Sequence, residues 1–290
     1  VGTLEIRAVT EENALTLRAA GKARRYTLRG MPGTDFPQLP QPAEGAPTLA
    51  IEPAVLSSLI EKVAPSVSPD ETRAHLNSMK VEWEGEVVKA ISTDGHRLTL
   101  AEAKVDGVVS NFELLIPLKG VQEIRRFCES ASGDVTLVQG GRHLFLSTPG
   151  ATISTTLTDA QFPPYQQVIP KGAKDLATLP ASQVLEVVKA VAVASNEKTA
   201  GVKLTFSESR MKVSAESPDT GDAEDYVEVD DLARNLVIGM NAKYLLDALA
   251  ACIADQGPEA RVSVAAGGEL DAMLLRCGAV TVVLMPVRLT

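Results

Sequence analysis

Thr93-Asp94-Gly95-His96-Arg97-Leu98 separates two apolar runs, Val87 to Ile91 and Leu98 to Ala101. An Asp-Gly pair in that setting predicts a tight hairpin turn, because glycine accepts positive φ without steric cost. The turn itself needs nothing from His96, Arg97 and Leu98, yet it presents them together where a sheet meets solvent. By itself the stretch reads either as an ordinary hairpin or as the rim of a site. A second unusual stretch is Val283-Leu284-Met285-Pro286-Val287-Arg288-Leu289-Thr290. A terminus this apolar is expected to be tied down against something.

Outward from the hairpin, Val81 and Trp83, then Val87, Lys89 and Ile91, alternate as strands do. Val55, Leu56, Leu59, Ile60 and Val63 are spaced to line one face of a helix, predicted from Ala54 to Val63. The same spacing recurs at Val121, Ile124, Phe127 and Cys128, at Val184, Leu185, Val188 and Val191, and at Tyr244, Leu245, Ala248 and Leu249. Ser182 and Asn241 stand where N-caps belong. The order strand, helix, three strands repeats along the chain. A coarser repeat ends in proline-containing corners at Phe36-Pro37, Phe162-Pro163 and Met285-Pro286. Phe36 and Phe162 are about 126 positions apart, a domain-sized period. The expected class is α+β, built of repeated β-α-β-β-β units with antiparallel sheets on one side and helices on the other. The expected domains are residues 1–46, a half-domain plus linker, then 47–168 and 169–290. Val1 is not a methionine and Gly2 to Arg7 is already strand-like, so the chain is expected to begin inside a domain.

The composition is ordinary for a globular protein, with 45% hydrophobic and 22% charged residues. No apolar run approaches a membrane span, no signal peptide opens the chain, and Cys128, Cys252 and Cys277 read as buried thiols in a reducing cytoplasm. A formal charge of −9 argues against a protein held on DNA by bulk electrostatics. On the helices the balance differs. Lys62, Lys119, Arg125, Arg126, Lys189 and Lys243 slightly outnumber Glu61, Glu123, Glu186 and Asp247. This is either a mixed solvated face or a mildly basic lining. A repeat with like edges at both ends also suits head-to-tail contacts that close into a ring.

Three motifs in order carry a family resemblance: Thr93 to Leu98, Ser195-Asn196-Glu197-Lys198 with Gly201-Val202 behind it, and Met285 to Leu289. With them the chain resembles, from Leu4 to Leu289, the bacterial DNA sliding clamp, the β subunit of DNA polymerase III. The resemblance implies the DNA-clamp fold, with helices on the inner face and sheets outside. It implies a homodimeric ring on duplex DNA that tethers polymerase, clamp-loader and repair proteins through short hydrophobic peptides. It implies no catalysis, no cofactor and no metal, in a cytoplasmic, nucleoid-associated setting. The implied peptide pocket takes Leu76, Thr93, Gly95, His96, Arg97 and Leu98 from the hairpin region. Pro163 and Val168 join from the corner, then Leu270 and Ala272, then Val283, Leu284, Met285, Pro286, Val287, Arg288 and Leu289. Residues implied to face DNA are Arg73, Lys119, Arg125, Arg126, Lys198 and Lys243, and the implied dimer contact pairs Tyr26 and Leu28 with Val193 and Ala194. Tyr26 and Leu28 read equally well as strand core. The chain departs from the family pattern at Asp70, Ala74, His75 and Gln167. Against the family pattern the sequence is also expected to start without the first half-domain, which leaves ring closure open as an expectation. Leu98→Lys is expected to abolish partner binding with the fold intact.

The other readings are weaker. His75, His96 and His143 have no metal-ligand spacing, and no glycine-rich loop precedes a helix. Asp94 and His96 could form a base and its orienting carboxylate, without an evident nucleophile. The acidic run Glu216 to Asp231 reads as a loop and an edge strand. A clamp-like adaptor that binds the same peptides without encircling DNA remains the alternative.

Overall fold

The computed structural model describes residues 3–37, 40–42, 45–46, 48–105, 112–196, 199–218 and 221–288, the side chain of Phe112 excepted. They fall into two units, Val1–Gln41 and Pro42–Thr290. In the first, β1 (Leu4–Val9), β2 (Ala14–Ala19) and β3 (Arg25–Arg29) form an antiparallel sheet in that order. The register sets Ile6 opposite Leu17, Leu17 opposite Tyr26 and Leu15 opposite Leu28, so their side chains share one face. Leu4, Ile6, Tyr26 and Leu28 are each more than half exposed on it. Tyr26 and Leu28 are therefore not strand core.

In the second unit the strand–helix–three-strand order runs four times. The first pass is β4 (Thr48–Ile51), α1 (Pro53–Val63), β5 (Ser78–Glu84), β6 (Val87–Thr93) and β7 (Arg97–Lys104). The second is β8 (Phe112–Pro117), α2 (Leu118–Ser130), β9 (Val135–Gly140), β10 (His143–Thr148) and β11 (Ala151–Thr156). The third is β12 (Lys174–Pro180), α3 (Ala181–Val191), β13 (Gly201–Ser207), β14 (Arg210–Ser217) and β15 (Gly221–Glu228). The fourth is β16 (Leu236–Asn241), α4 (Ala242–Gln256), β17 (Arg261–Ala266), β18 (Met273–Cys277) and β19 (Val280–Leu284). Each quartet of strands takes three from one pass and the first strand of the neighbouring pass, as in β11-β10-β9-β4 and β15-β14-β13-β16. The other two quartets join where β7 pairs with β19, making one eight-stranded sheet that crosses the expected boundary at residue 168.

The helices follow the predicted spacing: Leu56, Leu59, Ile60 and Val63 of α1 are buried, as are Val121, Ile124, Phe127 and Cys128 of α2. Asn241 caps α4, its side chain accepting the Tyr244 N–H at 3.2 Å. Ser182 is not a cap. Helix α3 begins one residue earlier, at Ala181 behind Pro180, and the Ser182 hydroxyl donates to the Pro258 carbonyl at 2.6 Å. The helices pack in a row on one side of the sheets, α2 on α1, α1 on α4, α4 on α3. Beneath them lie fully buried side chains such as Trp83, Phe206, Leu59 and Met79, each worth about 1.5–3 kcal/mol of transfer free energy. The three cysteines are buried free thiols, and burial pushes Cys128 up to about 11, so they are inert at neutral pH.

Candidate functional site

The hairpin between β6 and β7 is held by its own polar groups. The Asp94 carboxylate accepts the backbone N–H of His96 at 2.9 Å and of Arg97 at 3.1 Å. The Thr93 hydroxyl donates to the Arg97 carbonyl at 2.6 Å, and Gly95 takes a φ of 95° that a side chain would strain. β19 runs beside β7 with Val283 opposite Leu98, and the chain then continues past the turn. The Met285 N–H donates to the His96 carbonyl and the Val287 N–H to the Gly239 carbonyl, both at 2.9 Å. The apolar tail is thus tied down against the hairpin.

Alternation along the strands gives the junction two faces. On the face turned away from the helices, Leu98 and Val283 meet Ile91, Leu100, Leu115 and Leu274, and Phe162 and Tyr165 cover part of them. Ala272 packs against this cluster. Beside it Val168 is 46% exposed and Met285 43%, and Leu270, two residues before Ala272, is 63% exposed, so apolar side chains open to solvent lie next to the cluster and on the loop leading to it. Leu76 and Thr93 are buried, Pro163, Pro286 and Val287 half-buried, and Gly95, His96 and Arg288 exposed. Leu289 lies outside the described residues. Leu98 itself is only 1% exposed, which corrects one expectation. A lysine there would bury an ammonium in a packed sheet, so Leu98→Lys would damage the fold as well as the site.

Two expected pocket side chains point the other way, Leu284 into the helix-side core and Arg97 toward α4. The Arg97 guanidinium pairs with Asp94 at 3.0 Å and with Asp247 at 2.6 Å, donates to the Pro65 carbonyl, and lies 4.3 Å from the Tyr244 ring. Nearby, Lys62 of α1 pairs with Asp255 of α4 at 2.6 Å, both nearly buried. Burial alone would raise the Asp255 carboxyl, but hydrogen bonds from Lys62, Gln256 and the Ala279 N–H hold it below the ordinary carboxylate value. The Asp94 oxygens are therefore spent on the turn and on Arg97, so Asp94 does not serve as a carboxylate orienting His96. Among the described residues no group of three or more His, Cys, Asp or Glu is placed to hold a metal ion.

On the helices, Lys119 and Lys243 are exposed, while Arg125 pairs with Glu129 at 3.3 Å and Arg126 with Glu123 at 2.7 Å. Lys198 lies outside the described residues. Arg73 lies over the hairpin tip, donating to the Asp94 carbonyl at 3.4 Å. Of the departures from the family pattern, Asp70 accepts both the N–H and the hydroxyl of Thr72, which holds its carboxyl below the ordinary value, and Ala74 and Gln167 are exposed. Val193 is 81% exposed after α3, and its neighbour Ala194 is buried. Tyr244, Asp247, Phe162 and Tyr165 were not anticipated. The only sequence signal was their helical or corner position, because their contacts lie far along the chain.

Residues 50–164 match the family described as DNA polymerase III beta subunit, central domain, and residues 166–267 match its C-terminal domain. The Beta sliding clamp of Pseudomonas aeruginosa is 32% identical over 241 residues, covering 82% of this chain and 65% of that protein. The Beta sliding clamp of Escherichia coli K12 is 28% identical over 242 residues, covering 83% and 66%. The chain thus spans about two-thirds of the length of these curated relatives. A crystal structure of the DNA polymerase III subunit beta from Pseudomonas aeruginosa superposes with a TM-score of 0.88 at 30% identity, covering 98% of this chain and 77% of that one. Another, of a sliding clamp from the same organism bound to griselimycin, gives 0.87 at 30% identity over 99% and 76%. Motifs, repeated fold and relatives agree, and the chain belongs to the family of the DNA polymerase III beta subunit, the beta sliding clamp.

Proposed function

We propose that this chain works as a processivity clamp, encircling duplex DNA as part of a homodimeric ring and holding partner proteins through a short hydrophobic peptide. The observation that carries the reading is the β7–β19 junction: an apolar cluster with an open rim of Val168, Met285 and Leu270, and the row of helices on the other side of the same sheet. An extended peptide with leucine or aromatic anchors fits such a rim, since a few buried apolar contacts dominate this kind of binding. Exposed Lys119, Lys189 and Lys243 give the helix row a loose attraction to phosphate that permits sliding.

Ring closure has a template within the chain. β7 is the last strand of the first pass and β19 of the fourth, and they pair edge to edge. β15, last strand of the third pass, offers the matching edge to β3 of a second copy. Charge favours that pairing, because β3 carries Arg25 and Arg29 while β15 carries Asp222, Glu224, Asp225 and Glu228. The test is retention on nicked circular DNA after loading. A clamp stays with the circle through gel filtration and is lost when the circle is linearised. A chain that binds peptide but leaves both DNAs equally fast is the adaptor instead.

A further inference from the structure

The corner that walls the apolar rim is anchored by a charged cluster that no contact described so far uses. Lys80 lies in β5 between Leu115 of β8 and Ile91 of β6, on the same face as the apolar cluster, and it is 8% exposed. A lysine in that row is a costly place for a charge. Its ammonium pairs with Glu82 at 2.7 Å and with Glu113 at 2.9 Å. It also lies 5.9 Å from the ring centroid of Phe162 and 5.6 Å from that of Tyr165. The second oxygen of Glu82 accepts the Tyr165 hydroxyl at 2.6 Å. Tyr165 opens a 3-10 turn, and its carbonyl in turn accepts the Val168 N–H at 2.9 Å. One chain of contacts therefore runs from the sheet, through Lys80, Glu82 and Tyr165, to the exposed Val168 at the rim.

We propose that Lys80, Glu82 and Tyr165 are positioning residues for peptide binding, holding the corner so that Val168 and Pro163 stand as a preformed wall of the site. The inference rests on the peptide-docking reading above. The mechanism is preorganisation: a corner already ordered by a buried ion pair and a hydrogen bond loses little freedom when a peptide binds. Electrostatics support the geometry. Burial would lower the Lys80 ammonium and raise the Glu82 carboxyl, yet their mutual hydrogen bond moves both the opposite way, so the pair stays charged through the neutral range. Burial, and then the Glu82 contact, raise the Tyr165 phenol, which keeps it protonated as the donor.

The test uses the full chain and a fluorescein-labelled synthetic decapeptide carrying one glutamine followed by leucine and phenylalanine anchors. Tyr165→Phe removes only the hydroxyl, and Glu82→Gln keeps the shape of its partner. Each is expected to melt cooperatively with wild-type circular dichroism, yet to bind the peptide about tenfold more weakly. The double variant is expected to bind no worse than the weaker single, because the Tyr165 hydroxyl reaches the Lys80–Glu82 pair only through Glu82. The Val168 amide is expected to exchange its hydrogen faster in both. Wild-type affinity in both singles, or losses that simply add, would overturn the inference while leaving peptide docking in place. Absence of binding by the wild type would overturn both, and Val168→Asp, which attacks the rim directly, separates the two cases by abolishing binding that the wild type does show.

Discussion

Arg97 illustrates how one residue in a recognisable motif acquires its role from strand alternation. Its neighbour Leu98 faces the apolar cluster, whereas Arg97 faces α4, spends its guanidinium on Asp94, Asp247 and the Pro65 carbonyl, and stacks on Tyr244. Removing one member of such a mostly buried set strands the others. Arg97→Ala is expected to lower unfolding free energy by about 3 kcal/mol, read as a lower urea midpoint with unchanged slope. Arg97→Lys should recover little, since an ammonium cannot reproduce the planar fork. The buried carboxylates predict a pH effect of definite sign. Glu82 and Asp255 are held below their ordinary values of 4.5 and 3.8, so their contribution is complete above those values and is lost as pH falls through the lower folded ones. Lys80 is held above 10.5, so its share is complete below that pH and fails only as pH rises beyond its folded value. An acid titration of the melting temperature should therefore show a shallower fall in Glu82→Gln than in the wild type.

At the scale of elements, the strand–helix–three-strand order was legible because each piece is local. Period 3.6 marks α1 to α4, period 2 marks the strands, and Asp-Gly marks the β6–β7 turn. Residues whose cap depended on where a helix begins were less legible, and Ser182 is the case in point. The two units differ in how completely their elements are covered. In Val1–Gln41 the three strands leave Leu4, Ile6, Tyr26 and Leu28 exposed on one face, whereas α1 and α2 bury the equivalent faces of β4 to β11. Limited proteolysis is expected to cut between Phe36 and Thr48 first and to leave a fragment from there to the end of the chain. That fragment should still melt as one cooperative transition, and loss of its structure on cleavage would refute the division into units.

At the scale of the whole molecule, the proposed ring depends on strand edges. β7 and β19, last strands of two passes, pair within this chain, and in the proposed ring the oppositely charged β3 and β15 would pair in the same way across two copies. Arg25→Glu with Arg29→Glu is expected to weaken the dimer at least tenfold in sedimentation equilibrium, and more so at low salt, where exposed charges are less screened. Adding Glu224→Arg and Glu228→Arg should restore part of it. An unchanged mass for the double variant would rule this pairing out.

Local patterning by itself determined the repeated units, the hairpin, the four helices and the burial of the tail against something, because period and turn chemistry are written in consecutive residues. Register and distant pairing were left to the tertiary structure. It decided that Leu98 and Arg97 serve opposite faces, that Arg73 reaches the hairpin tip, and that Lys62 meets Asp255 across 193 residues. It also decided that Lys80, set across from Leu115 and Ile91 in the sheet, contacts a corner more than eighty positions away through Glu82 and Tyr165. Such contacts depend on which strand edges come together, and no run of neighbouring residues encodes that.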